Sequence, residues 1–178
     1  MESEVSQKIQ AATKRYQNFP KEGVEFIDIF PIVSEPEIFT LVIDIFAKQL
    51  ANVEFNKMFM LESKGFLFGP SLSLKVGKPC YPIRKKGKLP GECEALSYGL
   101  EYGQDTIEVQ KELIKAGDKV VLIDDVLATG GTLNAAIDLV RKCGGEVAYV
   151  LLLSQIKKLN GIDNAHIEKE KVFNIYFD

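Results

Sequence analysis

The chain has 178 residues, of which 46% are hydrophobic and 26% charged, and its net charge at pH 7 is −3. These values predict one soluble globular domain over residues 1–178 and disfavour nucleic-acid binding, which usually shows a basic face. Membrane insertion is also disfavoured, because no apolar stretch nears the roughly 20 residues that a membrane span needs.

Cysteine usage and the first residues predict a cytoplasmic protein. Cys80, Cys93 and Cys143 share no CxxC spacing, so neither a disulfide framework nor a zinc site is predicted. Free thiols are typical of a reducing compartment. The N-terminal sequence MESEVSQKIQ lacks the apolar run of a secretory signal peptide.

Apolar periodicity predicts alternating helices and strands along the chain. Ser34 to Glu37 has the spacing of a capping box, and the apolar residues after it recur at helical intervals, which predicts an amphipathic helix. Further helices are predicted at residues 66–76 and 133–140, and Gly144 is expected to end the latter. The predicted strands are residues 58–61, 80–84, 106–110, 120–123, 147–153 and 172–177.

This alternation predicts an α/β fold, with a central, mostly parallel sheet flanked by helices and joined by right-handed crossovers. Residues 172–177 are expected to form an edge strand, and residues 85–96 are expected to form a charged loop. Ligands of such sheets bind beyond the carboxyl ends of the strands. Residues 62–65 and 124–132 both fall there, so both segments are candidates for the functional site.

The segment Ala128-Thr129-Gly130-Gly131-Thr132 lies between a predicted strand and a predicted helix. Glycines let backbone amides approach a ligand closely, and the amides at a helix N-terminus favour an anion such as a phosphate monoester. Taken alone, the segment is explained equally well by a tight turn in which Thr132 caps the helix.

Asp124 and Asp125 directly precede the strand-to-helix turn. Two ionised carboxylates side by side repel each other, so a cation or the hydroxyl groups of a ligand should compensate them. A sugar diol with magnesium supplies both, whereas a solvated acidic turn is the simpler structural explanation. Because the acids and the glycine segment lie so close in sequence, the combination favours a ribose-phosphate site. No Walker or dinucleotide-binding glycine motif occurs.

The run DDVLATGGT at residues 124–132 resembles the phosphoribosyl pyrophosphate motif of type I phosphoribosyltransferases. The segments ESKGFLFGPSL, IRKKGKLPG and LEYG, which occur in this order, resemble the adenine branch of that family. The likeness runs from about residue 19 to residue 153. It implies a purine-salvage enzyme that transfers 5-phosphoribosyl from phosphoribosyl pyrophosphate to N9 of adenine, with Mg²⁺, giving AMP and pyrophosphate.

The resemblance also implies a homodimer, the type I phosphoribosyltransferase fold with a small hood, and a flexible hood loop over residues 85–103. Asp124 and Asp125 would hold the ribose hydroxyls, the Mg²⁺ ion or both, and Glu101 and Tyr102 would act in catalysis. Residues 62–65 would form the pyrophosphate loop, which in this family often carries a cis peptide. The purine would lie on Val24, Glu25, Phe26 and Ile27, largely through backbone groups. Phosphoribosyl pyrophosphate would bind Glu62, Ser63, Lys64, Arg84, Lys85, Lys88, Asp124, Asp125, Ala128, Thr129, Gly130, Gly131 and Thr132.

Two residues depart from the family pattern. Lys64 stands where arginine is usual, and Ile27 stands where many members have a basic residue. Lysine keeps the charge but lacks the planar, two-pronged grip on phosphate, which predicts weaker binding of phosphoribosyl pyrophosphate. The alternative functions are transfer to another base, which the adenine-branch segments disfavour, and a non-catalytic regulator or inactive paralogue that binds phosphoribosyl pyrophosphate.

Overall fold

The computed structural model describes residues 2–100 and 103–178. The helices are α1 (Glu2–Ala11), α2 (Phe30–Ser34), α3 (Pro36–Leu50), α4 (Gly69–Val76) and α5 (Gly131–Lys142). The strands are β1 (Lys14–Gln17), β2 (Glu25–Asp28), β3 (Lys57–Leu61), β4 (Cys80–Lys85), β5 (Cys93–Leu100), β6 (Gly103–Gln110), β7 (Lys119–Leu127), β8 (Glu146–Gln155) and β9 (Val172–Phe177). None of the helices among these residues is long and apolar enough to cross a membrane.

Seven strands form one sheet in the order β5-β6-β4-β3-β7-β8-β9. Strands β4, β3, β7, β8 and β9 run parallel, and β6 and β5 extend the sheet as antiparallel strands. The chain passes from β3 outwards to β4 and later returns to β7 on the other side of β3. The strand order therefore reverses between β3 and β7. The predicted mostly parallel sheet, with residues 172–177 at its edge, is confirmed.

Strand β7 lies at the centre of the core. Val121 and Ile123 belong to an apolar cluster shared with α1 and α3, whereas Val120 and Leu122 belong to a second cluster shared with α5. All four side chains are fully buried. A strand covered on both faces needs apolar residues on both, which explains the continuous apolar run. The strand does not end at residue 123 as predicted, because β8 pairs with it as far as Leu127.

Strands β5 and β6 form a hairpin, called the arm below. They pair along their full length, from Cys93–Gln110 to Leu100–Gly103, and β6 joins the sheet through β4. The prediction of a charged loop over residues 85–96 is therefore wrong for its second half. Strand β5 lies at the edge of the sheet and buries none of its residues from Cys93 to Gly99 completely, so its sequence lacks a strong apolar signal.

Strands β1 and β2 form a separate antiparallel pair, called the N-terminal hairpin below. Sequence analysis missed this hairpin and helix α1. All four residues of β1 are exposed, so the strand carries no apolar pattern. In β2 the side chain of Ile27 enters the core and is only 7% exposed. The hairpin therefore anchors to the domain through β2.

The predicted capping box at Ser34 and Glu37 is wrong. Ser34 ends α2, and its hydroxyl donates a 2.9 Å hydrogen bond to the carbonyl oxygen of Pro31. Helix α3 begins at Pro36, after Glu35, whose side chain makes no capping bond. Proline suits the first turn of a helix because it has no N–H to satisfy there.

Candidate active site

The two candidate segments meet where the strand order reverses. Strand β3 pairs with β7 only as far as Met60–Ile123, whereas β7 continues to Leu127 beside β8. The loop of residues 62–65 crosses the edge of β7 at this point. A Cβ added to Gly65 would stand 2.5 Å from the carbonyl oxygen of Ile123. Open α/β sheets bind ligands at such a reversal.

The acid pair lies inside β7 and not beyond its end. Asp124 is in register with Leu152 of β8, and its carboxylate accepts a 2.8 Å hydrogen bond from the backbone N–H of Asp125. Removal from water, and then the adjacent charge of Asp125, raise the pKa of the Asp124 carboxyl well above its usual range. An approaching cation or hydroxyl group would favour the ionised form of this pair.

Residues 128–132, called the phosphate loop below, turn the chain from β7 into α5. Gly130 has a φ of +91°, which glycine adopts without steric penalty. Helix α5 begins at Gly131 and has no side-chain cap, so Thr132 does not cap it. The amides of the first helical turn have no partner within the helix and are available to an anion. A cavity of about 90 Å³ is lined by Asp124, residues 126–133 and Leu152.

Gly161, in the connection between β8 and β9, supports the phosphate loop from behind. A Cβ added to Gly161 would stand 2.2 Å from the carbonyl oxygen of Ala128, and one added to Gly130 would stand 2.9 Å from the carbonyl oxygen of Gly161. The two backbones approach closely because neither residue has a side chain. Sequence analysis missed this contact. The Asn160-Gly161 dipeptide signals a turn but does not reveal what the turn touches.

Lys64 connects the loop of residues 62–65 with the acid pair and the N-terminal hairpin. Its Nζ lies 3.2 Å from Asp125 Oδ2 and 4.4 Å from the centre of the Phe26 ring. The Glu62–Ser63 peptide bond that precedes it is cis, as the family resemblance implies. The structure therefore brings Lys64 and Asp125 together with one of the residues predicted to bind the purine.

Glu62 and Arg84 form a two-pronged ion pair. The Nη2 and Nε atoms of Arg84 donate to the two carboxylate oxygens of Glu62 over 3.0 Å and 3.1 Å, and the backbone N–H of Lys85 donates over 2.8 Å. The Arg84 hydrogen bonds are the main reason that the pKa of Glu62 is lowered. Glu62 thereby fixes the guanidinium at the carboxyl end of β4.

The basic turn after β4 is held by an acid that sequence analysis missed. Glu108 of β6 is only 6% exposed, and its Oε1 accepts hydrogen bonds from the backbone N–H groups of Gly87 (2.9 Å), Lys88 (3.1 Å) and Leu89 (3.1 Å). Nearby, Lys85 Nζ lies 3.0 Å from a second β6 carboxylate. The backbone that carries Lys88 is therefore fixed even though it lies outside a helix or strand.

The residues predicted to bind the purine lie on and beside β2. Val24 is 41% exposed, whereas the Ile27 side chain is buried in the core. Glu25 forms an ion pair inside the N-terminal hairpin. Only the backbone of Ile27 is available to a ligand, so the departure from a basic residue at this position leaves a backbone contact possible.

Glu101 and Tyr102, predicted to be catalytic, lie outside the described residues. Their neighbours Leu100 and Gly103 form the last pair of the arm. Within residues 2–100 and 103–178, no group of three or more His, Cys, Asp or Glu side chains is arranged to hold a metal ion.

The sequence matches known phosphoribosyltransferases over most of its length. A family model described as a phosphoribosyl transferase domain matches residues 32–176. The adenine phosphoribosyltransferase of Caenorhabditis elegans is 43% identical over 160 residues, which cover 89% of this chain and 86% of that protein. The chain belongs to the adenine phosphoribosyltransferase family. The family member from Debaryomyces hansenii is 39% identical over 161 residues, or 90% of this chain and 87% of its own.

Solved structures of the adenine phosphoribosyltransferase family have the same fold. The enzyme from Rhodothermus marinus superposes with a TM-score of 0.92 at 36% identity and covers 99% of both chains. The enzyme from Saccharomyces cerevisiae, complexed with an imino-altritol bisphosphate and adenine, has a TM-score of 0.90 at 37% identity and covers 97% of this chain and 99% of its own. The predicted family, fold and enzyme class, a glycosyltransferase, are confirmed.

Proposed function

We propose that the protein transfers the 5-phosphoribosyl group of phosphoribosyl pyrophosphate to N9 of adenine, giving AMP and pyrophosphate in purine salvage. The observation that carries this proposal is the meeting of Asp124 and Asp125, the phosphate loop and Lys64 at the reversal between β3 and β7. Family membership supports adenine as the acceptor, and the related yeast enzyme was crystallised with adenine.

The phosphate loop is the proposed site of the 5′-phosphate. Its cavity of about 90 Å³ has backbone amides of the first turn of α5 and the Thr129 and Thr132 hydroxyls as donors. Ala128, Gly130 and Gly131 bring the backbone close to the ligand. Asp124 lines the same cavity and is placed to accept hydrogen bonds from the ribose hydroxyls, together with Asp125.

Mg²⁺ is the proposed cofactor, held by Asp124 and Asp125 directly or through ribose and water. The donor set fits, because Mg²⁺ prefers oxygen ligands and is commonly held by one or two carboxylates together with substrate phosphates. The mutual repulsion of the two acids, which raises the pKa of Asp124, favours a cation at this place. When bound, Mg²⁺ supplies positive charge that stabilises the departing pyrophosphate.

Basic side chains around the loop of residues 62–65 are proposed to bind the pyrophosphate. Breaking the bond at the anomeric carbon gives an oxocarbenium-like state while negative charge grows on the leaving group. Fixed donors that face this charge in a cleft with little water lower the barrier. Lys64 reaches the leaving group by exchanging Asp125 for it. The proposed contacts are Glu62, Ser63, Lys64, Arg84, Lys85 and Lys88.

Glu101 is the proposed carboxylate that assists proton loss from adenine, and Tyr102 is expected to reach the site with it. General acid–base assistance of this kind contributes about 10²–10⁴-fold. Water would intercept the reactive sugar cation, so the cleft has to be covered during transfer. The segment of residues 85–103, which contains both residues, is the proposed cover.

The proposed purine site is formed by Val24, Glu25, Phe26 and Ile27. Phe26 presents an aromatic ring next to Lys64, at 4.4 Å from its Nζ, and so close to the loop proposed for pyrophosphate. Backbone groups of β2 at the open end of the N-terminal hairpin would pair with the edge of the base. Because Ile27 is buried, its side chain does not contribute to base recognition.

A homodimer in the cytoplasm is proposed for the intact protein. The homodimer rests on the family likeness, and light scattering in solution measures it directly. The three cysteines Cys80, Cys93 and Cys143 are unpaired, which favours a reducing compartment.

The deciding experiment incubates the full chain with Mg²⁺, labelled phosphoribosyl pyrophosphate and a panel of bases. We expect AMP from adenine and little product from guanine, hypoxanthine or pyrimidines. Turnover of guanine but not adenine would overturn the choice of base, and binding without any product would favour a regulator or an inactive paralogue. We expect Asp124→Asn and Glu101→Gln to lose most of the activity, and near-normal turnover by Glu101→Gln would remove Glu101 from the mechanism.

A further inference from the structure

Thr132 separates two cavities. On one side it lines the cavity of about 90 Å³ proposed for the 5′-phosphate. On the other side it lines a cavity of about 220 Å³. No other residue of the described part of the chain lines both. The larger cavity is lined by Leu61, Glu62, Ile83, Lys85, Tyr98, Asp105, Ile107 and Thr132.

Tyr98 of the arm contacts Thr132 across the larger cavity. Its hydroxyl lies 3.4 Å from Thr132 Oγ1 and 3.4 Å from Asp105 Oδ2. Two carbons of its ring lie 3.9 Å from the position of a Cβ on Gly131. The ring is therefore packed against the start of α5 while the hydroxyl reaches the second residue of that helix.

Asp105 is an acceptor in this arrangement. Its Oδ2 lies 3.0 Å from Lys85 Nζ, and the Lys85 hydrogen bond is the main cause that lowers the pKa of Asp105. An ionised carboxylate only accepts hydrogen bonds, whereas a phenol has one proton to donate. With no ligand present, the Tyr98 proton is directed to Asp105.

A bound phosphate changes the requirements at Thr132. A threonine hydroxyl has one proton and two lone pairs, so it can donate to a phosphate oxygen and still accept one hydrogen bond. Tyr98 is the neighbouring group placed to donate that bond, and Asp105 keeps Lys85 as its partner when the phenol proton turns away. Hydrogen bonds in such a chain polarise one another, which strengthens the donation to phosphate.

We propose that Tyr98 is a positioning residue, which acts through Thr132 to strengthen the grip of the phosphate loop on the 5′-phosphate. This inference rests on the proposed function of that loop. It assigns the arm a second role, because the strand that leads to Glu101 also supports the opposite end of the substrate. A ligand that lacks a phosphate monoester gains nothing from Tyr98.

The test is a double-mutant cycle on the affinity for ribose 5-phosphate. The full-length wild type, Tyr98→Phe, Thr132→Val and the double variant are compared by calorimetry, with ligand-observed NMR where binding is weak. We expect Tyr98→Phe to weaken binding about threefold to tenfold, as for one lost hydrogen bond between uncharged groups. In the Thr132→Val background the same change should have no further effect. In a Thr132→Ser background, which keeps the hydroxyl, the effect should persist.

Tyr81→Phe is the matched control, because Tyr81 packs on Phe59 in the same sheet and its hydroxyl has no partner among the described residues. Its affinity should equal that of the wild type, and thermal melts check that each variant folds. Unchanged or tighter binding by Tyr98→Phe would overturn the inference, as would an equal loss with and without the Thr132 hydroxyl. If the wild type itself does not bind ribose 5-phosphate, the proposed function fails instead.

Discussion

Single glycines determine how closely the segments of the site approach each other. Gly65 lies against the carbonyl oxygen of Ile123, and Gly161 lies against the carbonyl oxygen of Ala128. A side chain at either position would have to displace main chain, because the atoms it meets are backbone oxygens. The positions of Lys64 and of the phosphate loop thus depend on two residues that contact no substrate themselves.

Lys64 tests the consequence of replacing the usual arginine. We expect Lys64→Arg to lower the KM for phosphoribosyl pyrophosphate on the order of tenfold, because a guanidinium donates two parallel hydrogen bonds to a phosphate. Steady-state kinetics with saturating adenine measure this. Unchanged kcat/KM would count against a pyrophosphate contact.

The matched control for this substitution is Lys75→Arg on α4. Lys75 is 52% exposed and pairs with Asp44, on a helix that contributes no residue to the proposed site. Its kinetics should equal those of the wild type. A gain in both variants would point to a general effect of arginine on stability.

The residues found from the sequence are those whose neighbours in the chain also act in the site. Asp124, Asp125 and the phosphate loop form one local pattern, which predicts an anion and hydroxyl site without any knowledge of the fold. Glu108 and Gly161 carry no such pattern, because their partners are brought close only by the packed sheet. Contacts of this kind require the tertiary structure.

At the level of elements, β6 organises the basic turn that follows β4. Glu108 uses one carboxylate oxygen for three successive backbone N–H groups, of Gly87, Lys88 and Leu89. A buried carboxylate with several hydrogen bonds holds its donors more firmly than a neutral group does. The turn thus belongs structurally to the arm, although in sequence it follows the parallel sheet.

Glu108→Gln is expected to loosen this turn. A neutral amide oxygen accepts weaker hydrogen bonds, so the free energy of unfolding should fall by about 1 kcal/mol. The KM for phosphoribosyl pyrophosphate should rise, because the position of Lys88 is no longer fixed. Urea unfolding and steady-state kinetics measure the two effects.

Glu146→Gln is the control for Glu108→Gln, because Glu146 is 65% exposed and its nearest basic partner is 3.8 Å away. It should change neither quantity. A Glu108→Gln variant with normal stability and normal KM would show that the backbone of the turn holds its shape without the charge.

Element prediction succeeded where burial imposes a periodic pattern and failed where it does not. Helix α3 and strand β7 are covered by other elements, so their apolar spacing predicts them. Strands β1 and β5 are exposed or lie at an edge, and their residues need satisfy only backbone pairing. A charged sequence such as residues 85–96 is therefore compatible with both a loop and a strand.

For the whole molecule, the sequence predicts a parallel α/β sheet but not the order of its strands. The order depends on the direction of each crossover, and short-range patterns carry no information on whether β7 returns to the far side of β3. The reversal that results is what brings residues 62–65 to the acid pair.

The stability of the domain should fall in acid. Burial alone would raise the pKa of Asp118, but hydrogen bonds from Lys57 Nζ, the Lys115 N–H and Asn56 outweigh it and lower the pKa. A lowered folded pKa stabilises the fold above the unfolded value of about 3.9, and this contribution is lost as the pH falls through the folded pKa. Urea unfolding between pH 7 and pH 3 measures the decline.

Asp118→Asn should flatten this pH dependence and lower the free energy of unfolding at pH 7 by about 1–3 kcal/mol, because Lys57 loses its charged partner. Asp163→Asn, at an exposed ion pair with Lys169, should behave like the wild type. An Asp118→Asn variant as stable as the wild type at pH 7 and as sensitive to acid would contradict the assignment.

Three basic side chains around the cleft each have an acidic partner: Lys64 with Asp125, Arg84 with Glu62, and Lys85 with Asp105. Before substrate arrives, these charges cancel pairwise, so the entrance offers a small solitary anion little net attraction. Orthophosphate, which is abundant in cells, would have to separate an existing pair without replacing what the acid loses. A ligand that carries both phosphate oxygens and donor hydroxyls can satisfy the separated partners together, and the cleft thereby discriminates against the commonest competing ion.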